Sequence, residues 1–271
     1  MDQNPTSPQE TNNNIVQRKY NLKKDPYDPR DYMFKAEKLG VNNITLPISY
    51  DLRTSGFMPP VLNQGSLGSC GPNQISNALR FCLKKNKFQD FQPSRLFIYY
   101  YTRLIEGSPL NEDSGISIRG GLNAVQKYGA CNETIWNYNV SNFSTQPSTD
   151  AINAAQNHIP GFRYIRIQQN LINIKQAVYG GYPVILGLQL YSSFESDTTA
   201  KTGIVNMPNK QTEQLLGGHC VSIIGYNDNA KIFILMNTWG NWGNKGFFTV
   251  PYDYILDPTL ASDFWIITYF K

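Results

Sequence analysis

A chain of 271 residues can bury one sizeable core or two half-sized ones packed together, and it is too short for several independent catalytic domains. Hydrophobic residues at 41% against 16% charged ones exclude disorder as the default state, and the 17 Tyr point to rings in the core and around a cleft. The net charge of +4 is scattered over pairs such as Arg18-Lys19, Lys23-Lys24 and Lys84-Lys85, which argues against a nucleic-acid groove.

Residues 1–14 are polar, with no apolar core of a secretory signal, and no window approaches the apolar length of a membrane span. The expectation is a protein without a membrane partner, cytoplasmic or packaged in a particle rather than secreted. Residues 1–45 read as an arm rich in Asn, Pro, Asp and Lys, with Asp25-Pro26 and Asp28-Pro29 holding the residue before each proline extended. Residues 46–63 follow as irregular chain with a short strand at most.

From Cys70 the pattern predicts a helix: Pro72 suits the first turn, and Ile75, Ala78, Leu79, Cys82 and Leu83 fall on one face. Lys84 and Lys85 stand at its end, where the helix dipole favours cations. A second helix is predicted over 93–106 and a shorter one over 122–128, ended by Gly129. After a polar loop at 141–149 the pattern turns to strands at 183–191, 220–226, 232–236, 246–250 and 264–270. A helical stretch followed by a strand-rich one implies an α+β protein of two lobes, about 65–150 and about 151–271, with a substrate cleft between them.

The four cysteines, Cys70, Cys82, Cys131 and Cys220, form no C-x-x-C pair. That argues against a zinc site and a disulfide framework and for a reducing compartment, so neither a metal nor a cofactor is expected. A cysteine attacks a carbonyl as thiolate, and Cys70 stands just before a helix, whose unpaired N–H groups favour negative charge. Cys82 lies on the apolar face of the same helix. Before Cys70 the chain reads Gln64-Gly65-Ser66-Leu67-Gly68-Ser69, small residues that admit a substrate backbone beside an amide donor for an oxyanion. Two histidines exist. His158 sits before Ile159-Pro160 without a charged companion, whereas His219 follows Gly217 and Gly218 into a strand, and a hairpin could set Asn237 against its ring.

These segments, together with Asn237-Thr238-Trp239-Gly240 and Tyr50-Asp51-Leu52-Arg53, resemble the papain and cathepsin family of cysteine peptidases. The resemblance covers residues 46–270 and implies a papain-like fold, with a helical left lobe, a β-barrel-like right lobe and the cleft between. It implies peptide or protein substrates cut through a thioester, with Cys70 as nucleophile, His219 as base and Asn237 orienting the ring. Gln64 would serve the oxyanion, Trp239 would shield the His219 and Asn237 pair, and Gly120, Gly121, Leu122, Gly217 and Gly218 would line the substrate groove.

Two positions depart from the pattern. Gly71 replaces the usual Trp, and Leu67 replaces a cysteine whose bonding partner would fall at Ile118, so an apolar Leu67 to Ile118 contact is expected instead. The upstream pocket, walled by Leu122, Gly217 and Gly187, should take a large apolar side chain, with Asp263 admitting Arg. The arm reads as a short inhibitory propeptide, residues 25–34 crossing the cleft with Tyr27, Tyr32 or Phe34 in a subsite. A catalytically silent binding or structural protein, or a transamidase or deamidase using the same site, are the alternatives.

Overall fold

The structure, a computed structural model, describes residues 17–42, 44–156 and 161–269; His158 lies outside them. Its helical part contains α1 (Cys70–Lys85), α2 (Arg95–Ile105), α3 (Ile118–Tyr128) and α4 (Thr149–Gln156). The sequence accounts for each boundary. Ser94 caps α2 by accepting the Phe97 N–H, and Ser117 caps α3 by accepting that of Gly120, each satisfying a donor the helix leaves free. Gly129, at φ 75°, stops α3. That helix therefore begins four residues before the predicted start, because Ser117 is a better cap than the glycines that follow it.

The strand-rich part is one seven-stranded sheet, in the order β2-β7-β3-β4-β5-β6, with β1 paired to β4 off this path. The strands are β1 (Ser49–Asp51), β2 (Phe162–Arg166), β3 (Val184–Tyr191), β4 (Leu215–Asn227), β5 (Ile232–Met236), β6 (Phe247–Pro251) and β7 (Ala261–Tyr269). Each strand-to-strand pairing is antiparallel. Short helices α5 (Leu171–Tyr179), α6 (Asp197–Thr202), α7 (Trp242–Lys245) and α8 (Tyr252–Leu256) fill the connections. The fold is α+β, as expected. β2 and the short helices α4 to α8 are not among the elements expected from the sequence, since segments of four to nine residues show too few turns for a periodicity to stand out.

Leu186, Leu188, Val221, Ile223, Leu235 and Phe248 form the heart of one buried cluster on the sheet. Ile75, Leu79, Leu96, Ile118 and Leu122 centre a second among the helices, which reaches the sheet through Ile185, Cys220 and Trp265. α1 bridges the two. Its Gln74 amide donates to the Met236 carbonyl at 2.8 Å, and the Ser222 hydroxyl donates to Gln74 Oε1 at 2.8 Å. A buried amide satisfied on both sides fixes the helix against β4 and β5, since an unmade bond there would leave a polar group dry.

Candidate active site

Cys70 opens α1, and everything about it is held from behind. The Ser69 hydroxyl donates to Tyr138 Oη at 2.5 Å and Tyr138 donates to the Gln64 carbonyl at 2.8 Å. Arg95 reaches Asn63 O and Asn73 Oδ1 while pairing with Glu133 at 2.7 Å. Gly68 N–H donates to both Asp113 carboxylate oxygens, at 3.1 and 3.0 Å, and Tyr99 Oη donates to the same carboxylate at 2.5 Å. The loop carrying the sulfur is thus clamped by charged and aromatic groups. The sulfur itself meets the backbone N–H groups of Cys220 and Gly71.

Cys220 follows His219 on β4, where His219 stands opposite Leu188 of β3. β4 starts at Leu215, so Gly217 and Gly218 belong to the strand rather than precede it. Asn237 lies one residue past β5, and its Oδ1 is 2.8 Å from His219 Nε2. The Thr238 N–H also donates to Oδ1 at 2.8 Å, which identifies that atom as the oxygen. An oxygen only accepts, so Nε2 carries the ring proton and the lone pair sits on Nδ1. Nδ1 is buried and has no hydrogen-bond partner among the described residues. The Trp239 ring lies 4.7 Å from the imidazole, tilted by 33°. Gln64, fully buried, accepts from the Thr238 hydroxyl at 2.6 Å and donates one Nε2 hydrogen to Leu67 O at 3.0 Å, the second having no acceptor among the described residues.

A sequence profile described as papain family cysteine protease matches residues 107–256. The chain is 38% identical to an uncharacterized peptidase C1-like protein of Acanthamoeba polyphaga mimivirus over 93% of its own length and 87% of that protein. The chain belongs to the papain family of cysteine proteases. It matches mouse cathepsin K at 27% identity, over 74% of this chain and 59% of that one. Among solved structures, xylellain, a cysteine protease from Xylella fastidiosa, superposes with a TM-score of 0.85 at 34% identity, covering 94% of this chain and 98% of its own. The protein is a cysteine-type peptidase, and among its described residues no helix is long and apolar enough to cross a membrane.

In this papain-family chain the cleft beside His219 is filled by the arm. Leu22 N–H donates to Gly218 O at 3.2 Å and Lys23 N–H donates to Ile116 O at 2.9 Å. Tyr20 stands edge-on to both His219 and Trp239, with ring centroids 6.3 and 6.1 Å away. Gly115, at φ 66°, faces Asn21 O so closely that a Cβ would lie 1.9 Å from it, and a Cβ on Gly187 would come within 2.9 Å of Leu22 Cδ2. The absence of side chains at both points is what lets the strand lie down.

Three expectations require correction. Gly120, Gly121 and Leu122 do not border this strand: they lie inside α3, with Glu106 and Ser117 against Gly120, Ile75 against Gly121, and Leu122 fully buried. On the helical side, the backbone that meets residues 21–23 is that of residues 115–117, a register the early helix start dictates. Residues 25–34 do not cross the site either. Tyr27 and Tyr32 are 89% and 76% exposed, and Phe34 is buried in the sheet cluster; the arm residues beside His219 and Gly218 are Tyr20 to Lys23, unnoticed in the sequence because their contacts are remote in the chain. Finally, burial overrides the helix dipole at the sulfur. It pushes the Cys70 thiol up to about 11 despite the N–H groups of Cys220 and Gly71, and the Asp113 charge adds to the rise.

The same burial pulls His219 down to about 4, opposed by the Asn237 bond and helped by the Arg18 charge. With the cleft filled, thiol and imidazole are both neutral across the middle pH range. Leu67 and Ile118 fall in one buried cluster. Asp263 is engaged already, accepting the Asp25 N–H at 3.0 Å and pairing with Arg166 at 2.9 Å. The described residues contain no group of His, Cys, Asp or Glu that could hold a metal ion.

Proposed function

We propose that the chain is an endopeptidase made as a zymogen, with Cys70 as nucleophile, His219 as base, Asn237 as orienter and Gln64 in the oxyanion hole. The observation that carries this reading is the imidazole with Nε2 committed to Asn237 and Nδ1 unpaired among the described residues, on the residue before the one whose N–H meets the Cys70 sulfur. Nδ1 takes the thiol proton, sulfur bonds to the scissile carbonyl carbon, and the Gln64 amide with the Cys70 N–H receives the oxyanion. The C–N bond breaks as His219 returns the proton to the departing amine. Water then attacks the thioester carbonyl, the C–S bond breaks, and the carboxylic acid product leaves as the Cys70 thiol is restored. Asn237, being neutral, holds the ring without competing for its proton. Trp239 and the substrate-side backbone of Gly217 and Gly218 complete the walls.

The endopeptidase mode follows from the arm, which enters the cleft at Arg18 and leaves it at Lys23, so an extended peptide passes through with chain on both sides. The same strand supports the zymogen reading, its inhibitory part being residues 18–23. Residues 25–41 differ in character. Asp25 accepts from Trp265 Nε1 at 2.7 Å and from Arg119 N–H at 3.0 Å, Phe34 N–H donates to Arg166 O at 2.8 Å, and Phe34 and Val41 are buried. They anchor the arm while residues 18–23 block. A silent binding protein has no use for the Gln64, Cys70, His219 and Asn237 set together. In full-length protein opened by Leu22→Asp, peptide hydrolysis should vanish on adding Cys70→Ala; turnover persisting in the double variant refutes the assignment.

A further inference from the structure

Each basic side chain that the blocking strand sends to the cleft wall finds a carboxylate there. Lys19 Nζ is 2.8 Å from Asp113 Oδ2, Lys23 Nζ is 3.3 Å from Glu106 Oε2 and 2.8 Å from Ser108 Oγ, and Arg18 Nη1 is 3.3 Å from Glu195 Oε1. Residues 18–24 carry four cations, Arg18, Lys19, Lys23 and Lys24, and no acid. Between them Leu22 points at the space left by Gly187.

The two inner carboxylates do not depend on the arm for their places. Asp113 is fixed by Gly68 N–H and Tyr99 Oη, and its side chain is only 8% exposed. Glu106 accepts from Ser117 N–H at 2.8 Å and from the Ser117 hydroxyl at 2.7 Å. When the strand leaves, both stay aimed at the groove without their cations. Pre-positioned, partly desolvated charges of one sign focus the field in a cleft and select the opposite sign in what binds next.

We infer that the enzyme cuts basic peptides, Asp113 and Glu106 each receiving a Lys or Arg side chain on either side of an apolar residue seated against Gly187, with Glu195 adding a weaker outer contact. The inference rests on the catalytic site proposed above. The arm is held by the features the substrate must supply.

The test uses the full-length chain opened by Leu22→Asp and two quenched-fluorescent peptides, identical except that one carries Lys where the other carries Gln on both sides of a Leu. Two pairs of this kind give about a tenfold higher kcat/KM for the Lys peptide. Glu106→Gln combined with Asp113→Asn should reduce that ratio to about threefold or less, as should raising the salt from about 50 mM to about 500 mM, which screens the pairs. Because Asp113→Asn also touches the Cys70 loop, Glu106→Gln alone and the salt series keep the test independent of that loop. Equal rates on the two peptides, or a preference for Gln, overturn the inference while leaving the catalytic site intact. Cleavage of neither peptide, together with failure of an epoxide inhibitor to label Cys70, overturns the site and the inference with it.

Discussion

The Tyr20 ring stands at 89° to the imidazole of His219, its centroid 6.3 Å away, and its hydroxyl donates to Glu195. One side chain of the arm thereby covers the proposed base and ties itself to Glu195 across the cleft. Tyr20→Ala in the full-length chain removes both the cover and the tie, and Leu22→Asp sets a charge against apolar neighbours, which costs several kcal/mol if the strand stays. Each should raise peptidase activity by about tenfold or more, in a fluorogenic peptide assay. Activity equal to that of the parent would mean that the strand does not gate the site.

The division of the arm predicts two different outcomes on shortening it. Removing residues 1–24 unblocks the cleft and leaves the anchor, so activity rises and the melting temperature changes little. Removing residues 1–45 also strips Phe34 and Val41 from the core, each worth about 1.5–3 kcal/mol of burial. At about 2–4 °C per kcal/mol for a chain of this size, the melting temperature should fall by about 6 °C or more in differential scanning fluorimetry.

Asp25 gives the anchor a pH dependence. Burial first, then the charge of Asp263, raise its carboxyl from 3.8 to about 6. A folded-state pKa above the unfolded one means that the folded chain binds the extra proton. The stabilisation is complete below about 3.8 and is lost as pH rises through about 6. The melting temperature of the parent minus that of Asp25→Asn should therefore grow as pH falls from 7 to 4. A constant difference would place the raised carboxyl elsewhere.

In the proposed site Asn237 acts through His219, so its loss should appear in kcat. Without Oδ1 the ring loses its only hydrogen-bond partner among the described residues and the preference for the Nε2-protonated tautomer. A hydrogen bond to a group that becomes charged is worth about 1.5–3 kcal/mol. Asn237→Ala should thus lower kcat by about 10- to 100-fold with KM nearly unchanged, measured in the Leu22→Asp background.

Much of this site could be read from the residues alone, and the reason is local. Pro72 and the apolar spacing behind it set the helix that Cys70 opens, and a short hairpin carries His219 to Asn237. The groove wall could not be read so directly. Gly120-Gly121 has the look of a lining pair, but Ser117 caps the helix early, which buries Gly121 and leaves Gly120 half-buried inside α3, while Gly115 and Ile116 meet residues 21–23. The blocking strand was hidden for another reason: Tyr20, Leu22 and Lys23 meet Trp239, Gly218 and Ile116 across long separations, and nothing in the periodicity of the arm foretells those contacts. The protonation states are likewise a property of the closed cleft, since helix position argues for a thiolate and burial reverses it.

The most direct measurement is the site and rate of labelling by an epoxide inhibitor of papain-type enzymes, mapped by mass spectrometry at pH 7 in the parent, in Leu22→Asp and in Leu22→Asp with His219→Ala. Labelling confined to Cys70, slow in the parent, at least about tenfold faster in the opened chain and slow again without the imidazole, is the predicted result. Labelling of Cys82, Cys131 or Cys220 at comparable rates, or labelling of Cys70 indifferent to His219, would contradict it.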